Sequence, residues 1–133
     1  MRRGSPRRGT TALEFGLVFP LAMLLLAGIV DWAWFMFQEM TMVVATGRGS
    51  RIAGGLPDED DPTGTAETST RTWMSSYGLD GDAATVDATI DAASDPQVIT
   101  VTASLPYTPL VGMVPLPDAV QASSSGVYYG EYY

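Results

Sequence analysis

The 133-residue sequence contains no Cys, no His and no Lys. Without His or Cys there is neither a Ser-His-Asp nor a Cys-His nucleophile pair, and the usual nitrogen and sulfur ligands of zinc are missing. Without Lys there is no Schiff base and no phosphate ligand of the Walker type. An enzyme is therefore not expected, nor a metal or organic cofactor. Positive charge is scarce as well: 7 basic residues, all Arg, stand against 15 acidic ones for a net charge of −8. Affinity for phosphate backbones comes mainly from clustered Lys and Arg, so nucleic acid is not expected as a partner. The lack of Cys leaves the redox compartment open and means only that an exported form needs no disulfides. The length suits one small domain.

What is present is strongly segregated. Arg2, Arg3, Arg7 and Arg8 fall within residues 1–9, which hold no acid, whereas every acidic residue lies beyond them with only Arg48, Arg51 and Arg71 for company. Between the two regions Phe15 to Val30 carries no charge; Glu14 and Asp31 bound it, and Trp32, Trp34, Phe35 and Phe37 follow. A helix from Thr10 to Asp31 would rise roughly 32 Å, close to the hydrocarbon thickness of a bilayer. The segment reads as a single membrane crossing, with Arg7 and Arg8 at one interface and Asp31, Trp32 and Trp34 at the other. The Arg cluster keeps the N-terminus in the cytoplasm and sends the acidic remainder across. A cleaved secretory signal would need small residues after its apolar core, and the flank here is bulky. A buried core helix would need more apolar surface around it than the rest of the chain offers.

The expected organisation is a basic leader (1–9), a transmembrane helix (10–31), its extracytoplasmic continuation (32–53), an acidic loop (54–64) and a small domain (65–133). In the continuation, Met36, Met40, Val43, Val44 and Gly47 share one side and read as a stripe that needs a partner, while Gln38, Thr41, Ala45 and Arg48 occupy another. Gly54-Gly55-Leu56-Pro57 ends the helix. The loop Asp58-Glu-Asp-Asp61 invites calcium, but the EF-hand order fails because Pro62 and Thr63 stand where an Asp or Asn and a Gly are required. Residues 65–77 form an amphipathic helix with Gly78 as its stop. Strict alternation over 85–92 and again over 99–105 gives a β-hairpin, and 119–129 supplies a third, less regular strand. The fold class is α+β: a long N-terminal transmembrane and stalk helix, then one short helix packed on a two- to three-stranded antiparallel sheet. Trp73, Tyr77, Val86, Ile90, Ile99 and Val101 are the expected domain core, and residues 56–133 are expected to be soluble alone, drawing part of their core from 37–52.

The membrane entrance carries the sharpest signal. Gly9 directly follows the basic leader, and Glu14 lies five residues on, inside the start of the apolar helix. An ionised carboxylate in hydrocarbon costs roughly 2.5 kcal/mol or more at mid-span, so Glu14 needs a reason to be there. Cleavage after Gly9 would give Thr10 a free amine, and Glu14 of one subunit could pair with the amine of a neighbour.

This arrangement resembles the type IV pilin class, and more specifically the TadE-like pseudopilins of tight-adherence (Flp-type) pili. Arg8-Gly-Thr-Thr-Ala-Leu-Glu-Phe-Gly-Leu-Val-Phe-Pro-Leu21 is similar to the family's basic-Gly-x4-Glu-Phe-apolar-Pro start. Ala45-Thr-Gly-Arg-Gly-Ser-Arg-Ile-Ala53 is similar to the end of its long helix, and Val98 to Leu110 to its strand-plus-Pro segment. Phe15 departs from the Glu-Tyr pair of the major Flp pilins and favours the pseudopilin branch. The resemblance implies a non-catalytic subunit of the bacterial inner membrane, cut after Gly9 by a prepilin peptidase and then assembled with other pilin and pseudopilin subunits through the pilus assembly platform. Ala12 and Gly16 would give a small-xxx-small packing face, and Pro20 a kink or loosening. The alternative is an unprocessed single-pass anchor carrying a small extracytoplasmic binding module, with Tyr128, Tyr129, Tyr132 and Tyr133 as candidate contacts.

Overall fold

Between Arg8 and Gly54 the one proline is Pro20, and a single α-helix, α1, runs through it from end to end. At 1.5 Å per residue its 47 residues extend about 70 Å. The structure, a computed structural model, describes residues 8–130, with side chains at all of them except 8–10 and 59. The leader up to Arg7, the side chains of Arg8, Gly9 and Thr10, and Tyr132 and Tyr133 therefore lie outside the described residues.

After α1 the chain makes a 3-10 turn at Asp58–Asp60 and enters a second helix, α2, at Pro62–Ser76. The acidic loop has local work. Asp61, in the left-handed region at φ 49°, is the N-cap of α2, its carboxylate accepting from the Gly64 N–H at 3.1 Å. Asp58 accepts from the hydroxyl of Tyr128 near the end of the described chain. Gly78, at φ 81°, closes α2, with the Leu79 N–H reaching back to the carbonyl of Met74.

Three strands follow, β1 (Thr85–Asp91), β2 (Val98–Pro106) and β3 (Ala119–Val127), in the order β1-β2-β3 with both pairings antiparallel. Ala88 lies opposite Val101, and Val101 opposite Ser124. The alternation seen in the sequence becomes two faces. Val86, Ala88, Ile99, Val101, Ala103, Leu105, Val120 and Ala122 point inward, whereas Thr85, Asp87, Thr89, Thr102 and Gln121 stay in water. Both helices cover the same side of the sheet, giving a two-layer α+β unit.

The core takes in α1: Met42, Ala45 and Ala53 are buried together with Ala66 and Met74 of α2 and the inward strand residues. It differs from expectation at the aromatic residues of α2 and at the strand end: Tyr77 is 49% exposed because it occupies the C-cap of α2, where the helix leaves the sheet; Trp73 is only half-buried and Ile90, near the strand end, likewise. Trp73 instead stacks on Tyr77 at 6.0 Å and lies under the Arg48 guanidinium, 3.8 Å from its ring centre. Val86, Ile99 and Val101 are buried.

Small residues set how closely the helices approach. A Cβ on Gly49 would stand 2.8 Å from the Ala66 carbonyl oxygen and collide with the Thr70 hydroxyl, so α1 and α2 touch backbone to side chain there. Gly54 meets the Val127 carbonyl and Gly126 the Ser50 carbonyl in the same way, which lays α1 against β3.

Candidate functional site

Two stretches of α1 behave differently. Every residue from Thr11 to Leu26 is exposed, touching no other element enough to be covered, and the same is true of Ile29 and Val30. This is the one helix among the described residues long and apolar enough to cross a membrane, and none of its most apolar window is buried within the chain. The exposed set includes Leu13, Phe15, Leu17, Val18 and Leu21, and also Glu14. Among the described residues, none forms an ion pair with Glu14. Ala12, Gly16 and Pro20 are open too, and a Cβ placed on Gly16 would meet nothing within 4 Å. Gly9 and Thr10 belong to the first turns of the same helix.

From Asp31 onward one side of α1 is covered, and it is not the side of the Met/Val stripe. The buried positions are Asp31, Gln38, Thr41, Met42, Ala45, Thr46, Gly49, Ser50, Ala53 and Gly54. Opposite them, Met40 is 70% exposed, with Val43 and Val44 also exposed and Met36 half-covered. Close approach is the reason. A face of Ala, Gly, Ser and Thr lets α2 and β3 come near, and its hydroxyls are satisfied on the helix itself: Thr41 donates to the Phe37 carbonyl at 2.8 Å, Thr46 to Met42 at 3.0 Å and Ser50 to Gly47 at 3.2 Å. The domain thus hides the small, polar side of its stalk and leaves the Met/Val stripe bare.

The boundary between the two stretches is marked by Asp31. The sequence places it at the membrane interface beside Trp32 and Trp34, yet its side chain is fully buried beneath the loop that joins β2 to β3. One carboxylate oxygen accepts from the Val111 N–H at 2.7 Å, and the other from Gly112 at 2.9 Å and Met113 at 3.3 Å. Gly112 takes φ 73°, which turns successive N–H groups toward one anion. The base of this loop closes through the Tyr107 N–H on the Asp118 carbonyl at 2.8 Å. The Tyr107 hydroxyl donates to the backbone carbonyl of Asp31 at 2.9 Å, and its ring meets Phe35 edge-on at 5.3 Å. Burial, and secondarily the Asp31 charge, push the Tyr107 phenol above its ordinary range, so the hydroxyl stays a donor. Beyond Asp31, Val114 reaches Gly28, where an added Cβ would sit 3.1 Å from its methyl. Trp32 remains 53% exposed, and Trp34 stacks on Phe37 at 5.5 Å.

Residues 9–51 match the family model described as TadE-like protein. The match agrees with the resemblance carried by the Gly9-x4-Glu14-Phe15 start and points to a Tad pilus-associated protein. It ends just before α1 does, so it takes in the naked helix, Asp31 and the bare Met/Val stripe, and it covers neither α2 nor the sheet. No curated protein and no solved structure matches the chain. The TadE-like segment is an apolar helix that points to a membrane anchor.

The Asp31 clasp is the element sequence reasoning missed. Its signal lay in an acid at the edge of an apolar run together with an uncharged Pro- and Gly-containing stretch far along the chain, and nothing in the sequence connects the two. The Tyr-rich tail also reads differently. Tyr128 is buried against the domain, which removes it as a surface contact, whereas Tyr129 is exposed.

Proposed function

We propose that this chain is a minor pilin, a non-catalytic pseudopilin that helps initiate or cap a Tad-type adhesive pilus. One observation carries the reading: the TadE-like match takes in a helix that is bare from Thr11 to Leu26, apolar but for one exposed carboxylate at Glu14. A helix of this kind is stable in lipid, and its carboxylate becomes an asset only when a cation arrives. Prepilin-peptidase cleavage after Gly9 supplies that cation as the Thr10 amine of a neighbouring subunit. The chain waits in the inner membrane with its N-terminus cytoplasmic and its α+β domain outside. Drawn into a pilus by the assembly platform, the bare helix exchanges lipid for the helices of other pilins and pseudopilins. The small-xxx-small pair Ala12 and Gly16 favours close approach, and the missing hydrogen bond at Pro20 gives the helix local freedom to adapt. Farther out, the Met40, Val43 and Val44 stripe provides a second contact that the chain's own domain leaves free.

The test is the N-terminal residue of the protein in membranes and in sheared surface filaments. A start at Thr10 with recovery in the filament fraction is the expected result. An intact leader in functional material refutes the processing step, and the unprocessed anchor reading then takes its place.

A further inference from the structure

The loop between β2 and β3 hangs from the end of the domain nearest the bare helix, and its composition is unlike the rest of the domain. From Tyr107 to Pro117 there is no charged residue, in a chain that carries 15 acids. Its tip is apolar and open: Leu110 is 61% exposed, Met113 60%, and Val111 is exposed beside them. Such a tip would be a poor surface in water. The loop is held by the clasp on Asp31, and Val114 passes beyond that residue to lie against Gly28, about one helical turn into the uncharged run. Between Val114 and the helix is an open groove lined by Leu24, Leu25, Gly28, Ile29 and Trp32 without polar walls.

We propose that the 107–118 loop is a second membrane-contacting element, dipping Leu110, Val111 and Met113 into the boundary of the bilayer that α1 crosses, with an acyl chain filling the groove beside Val114. The occupant is lipid because the groove is continuous with the lipid-facing surface of α1 and shares its residue types. The Asp31 clasp makes this immersion affordable: three backbone N–H groups, which would otherwise face hydrocarbon unpaired, are spent on the one carboxylate at that depth, and neither partner needs water. An element of this sort sits roughly 5 to 10 Å into the headgroup and acyl boundary. It would fix the tilt and rotation of the domain on the membrane before assembly. The inference rests on the reading of α1 as a membrane span.

The chain has no Cys, so single cysteines can be introduced and labelled with an environment-sensitive fluorophore in the full-length protein. Met113→Cys and Leu110→Cys report on the tip, Leu17→Cys on the span, and Ala92→Cys on the exposed turn at the opposite end of the sheet. Each is reconstituted in phosphatidylcholine vesicles at low protein-to-lipid ratio and exposed to shallow doxyl-labelled lipid or aqueous iodide. The expected result is strong lipid quenching at positions 113 and 110, with iodide access several-fold below that at 92. If the label at 17 is quenched by lipid while those at 113 and 110 are as open to iodide as that at 92, the loop does not dip although the helix spans. Shielding from iodide without lipid quenching means that protein covers the tip, which also overturns the proposal. Iodide access at 17 removes the span, and the loop assignment with it.

Discussion

Gly49→Ala isolates the contact that fixes the domain on its stalk. The new methyl would lie 2.8 Å from the Ala66 carbonyl oxygen, well inside the roughly 3.3 Å at which carbon and carbonyl oxygen first meet comfortably. The Thr70 hydroxyl also blocks it and cannot swing away freely. Thr70 is fully buried, and its hydroxyl donates to that same Ala66 carbonyl at 2.8 Å. Overpacking of this kind costs about 1 to 3 kcal/mol. Losing the Thr70 bond adds about 1 kcal/mol, and Ala regains about 1 kcal/mol of helix propensity over Gly. The net is a loss of about 2 kcal/mol, or a Tm lowered by about 10 °C for a domain of this size. Gly47→Ala is the matched control: its methyl would meet only the Ser124 hydroxyl at an ordinary 3.5 Å, so propensity should dominate and the Tm rise slightly. Thermal unfolding of the full chain in detergent, followed by tryptophan fluorescence and by near-ultraviolet circular dichroism, reads both. If Gly49→Ala melts at or above the parent temperature, α1 and α2 do not meet as described.

Further outcomes are expected elsewhere in the chain. Replacing Gly9 with a bulky residue should leave the leader attached, seen as an intact-mass increase, while Glu14→Ala should insert normally yet be lost from sheared filaments; normal piliation would remove the charge-pairing idea. Gln38 has a buried side-chain oxygen without a hydrogen-bond partner among the described residues, so Gln38→Met should raise stability by about 1 kcal/mol in denaturant titration. The Tyr107 phenol is held above its ordinary value of 10.0, so its contribution is complete below that value and is lost as the pH rises through the folded-state pKa. Alkaline unfolding should therefore show a component that Tyr107→Phe abolishes. Finally, residues 56–133 expressed without α1 should aggregate or remain unfolded on circular dichroism, because Met42, Ala45 and Ala53 complete the core; a cooperative melt from that fragment would show the stalk to be dispensable.

How far the sequence could be read depended on the range of the interactions involved. The alternation Val86, Ala88, Ile90 and Ile99, Val101, Ala103, Leu105 is local, and it gave strands with the observed pairing. The capping signal at Gly78 is equally local. The stalk was harder, because a helix presents two sides and only the rest of the chain decides which is covered. Met36, Met40, Val43 and Val44 read as a stripe that needs a partner, with its share covered by the domain left open, and the covered side is instead Gln38, Thr41, Met42, Ala45, Thr46, Gly49 and Ser50. The run of Ala, Thr, Gly and Ser at helical spacing marks close backbone approach. Tyr77 was misplaced for a related reason, since helical spacing says nothing about where a helix ends relative to the sheet beneath it.

Charge and length alone therefore settle the outline: segregated Arg, an uncharged run of about bilayer thickness and Glu14 at its entrance make α1 a candidate span whatever the domain does, because lipid selects on composition. The three-dimensional arrangement decides what that outline leaves free. It turns the small side of the stalk inward and keeps the Met/Val stripe bare, and it brings the 107–118 loop back some eighty residues to hold Asp31. Backbone N–H groups are present at nearly every residue, so no side-chain pattern could announce that three of them would converge on one carboxylate.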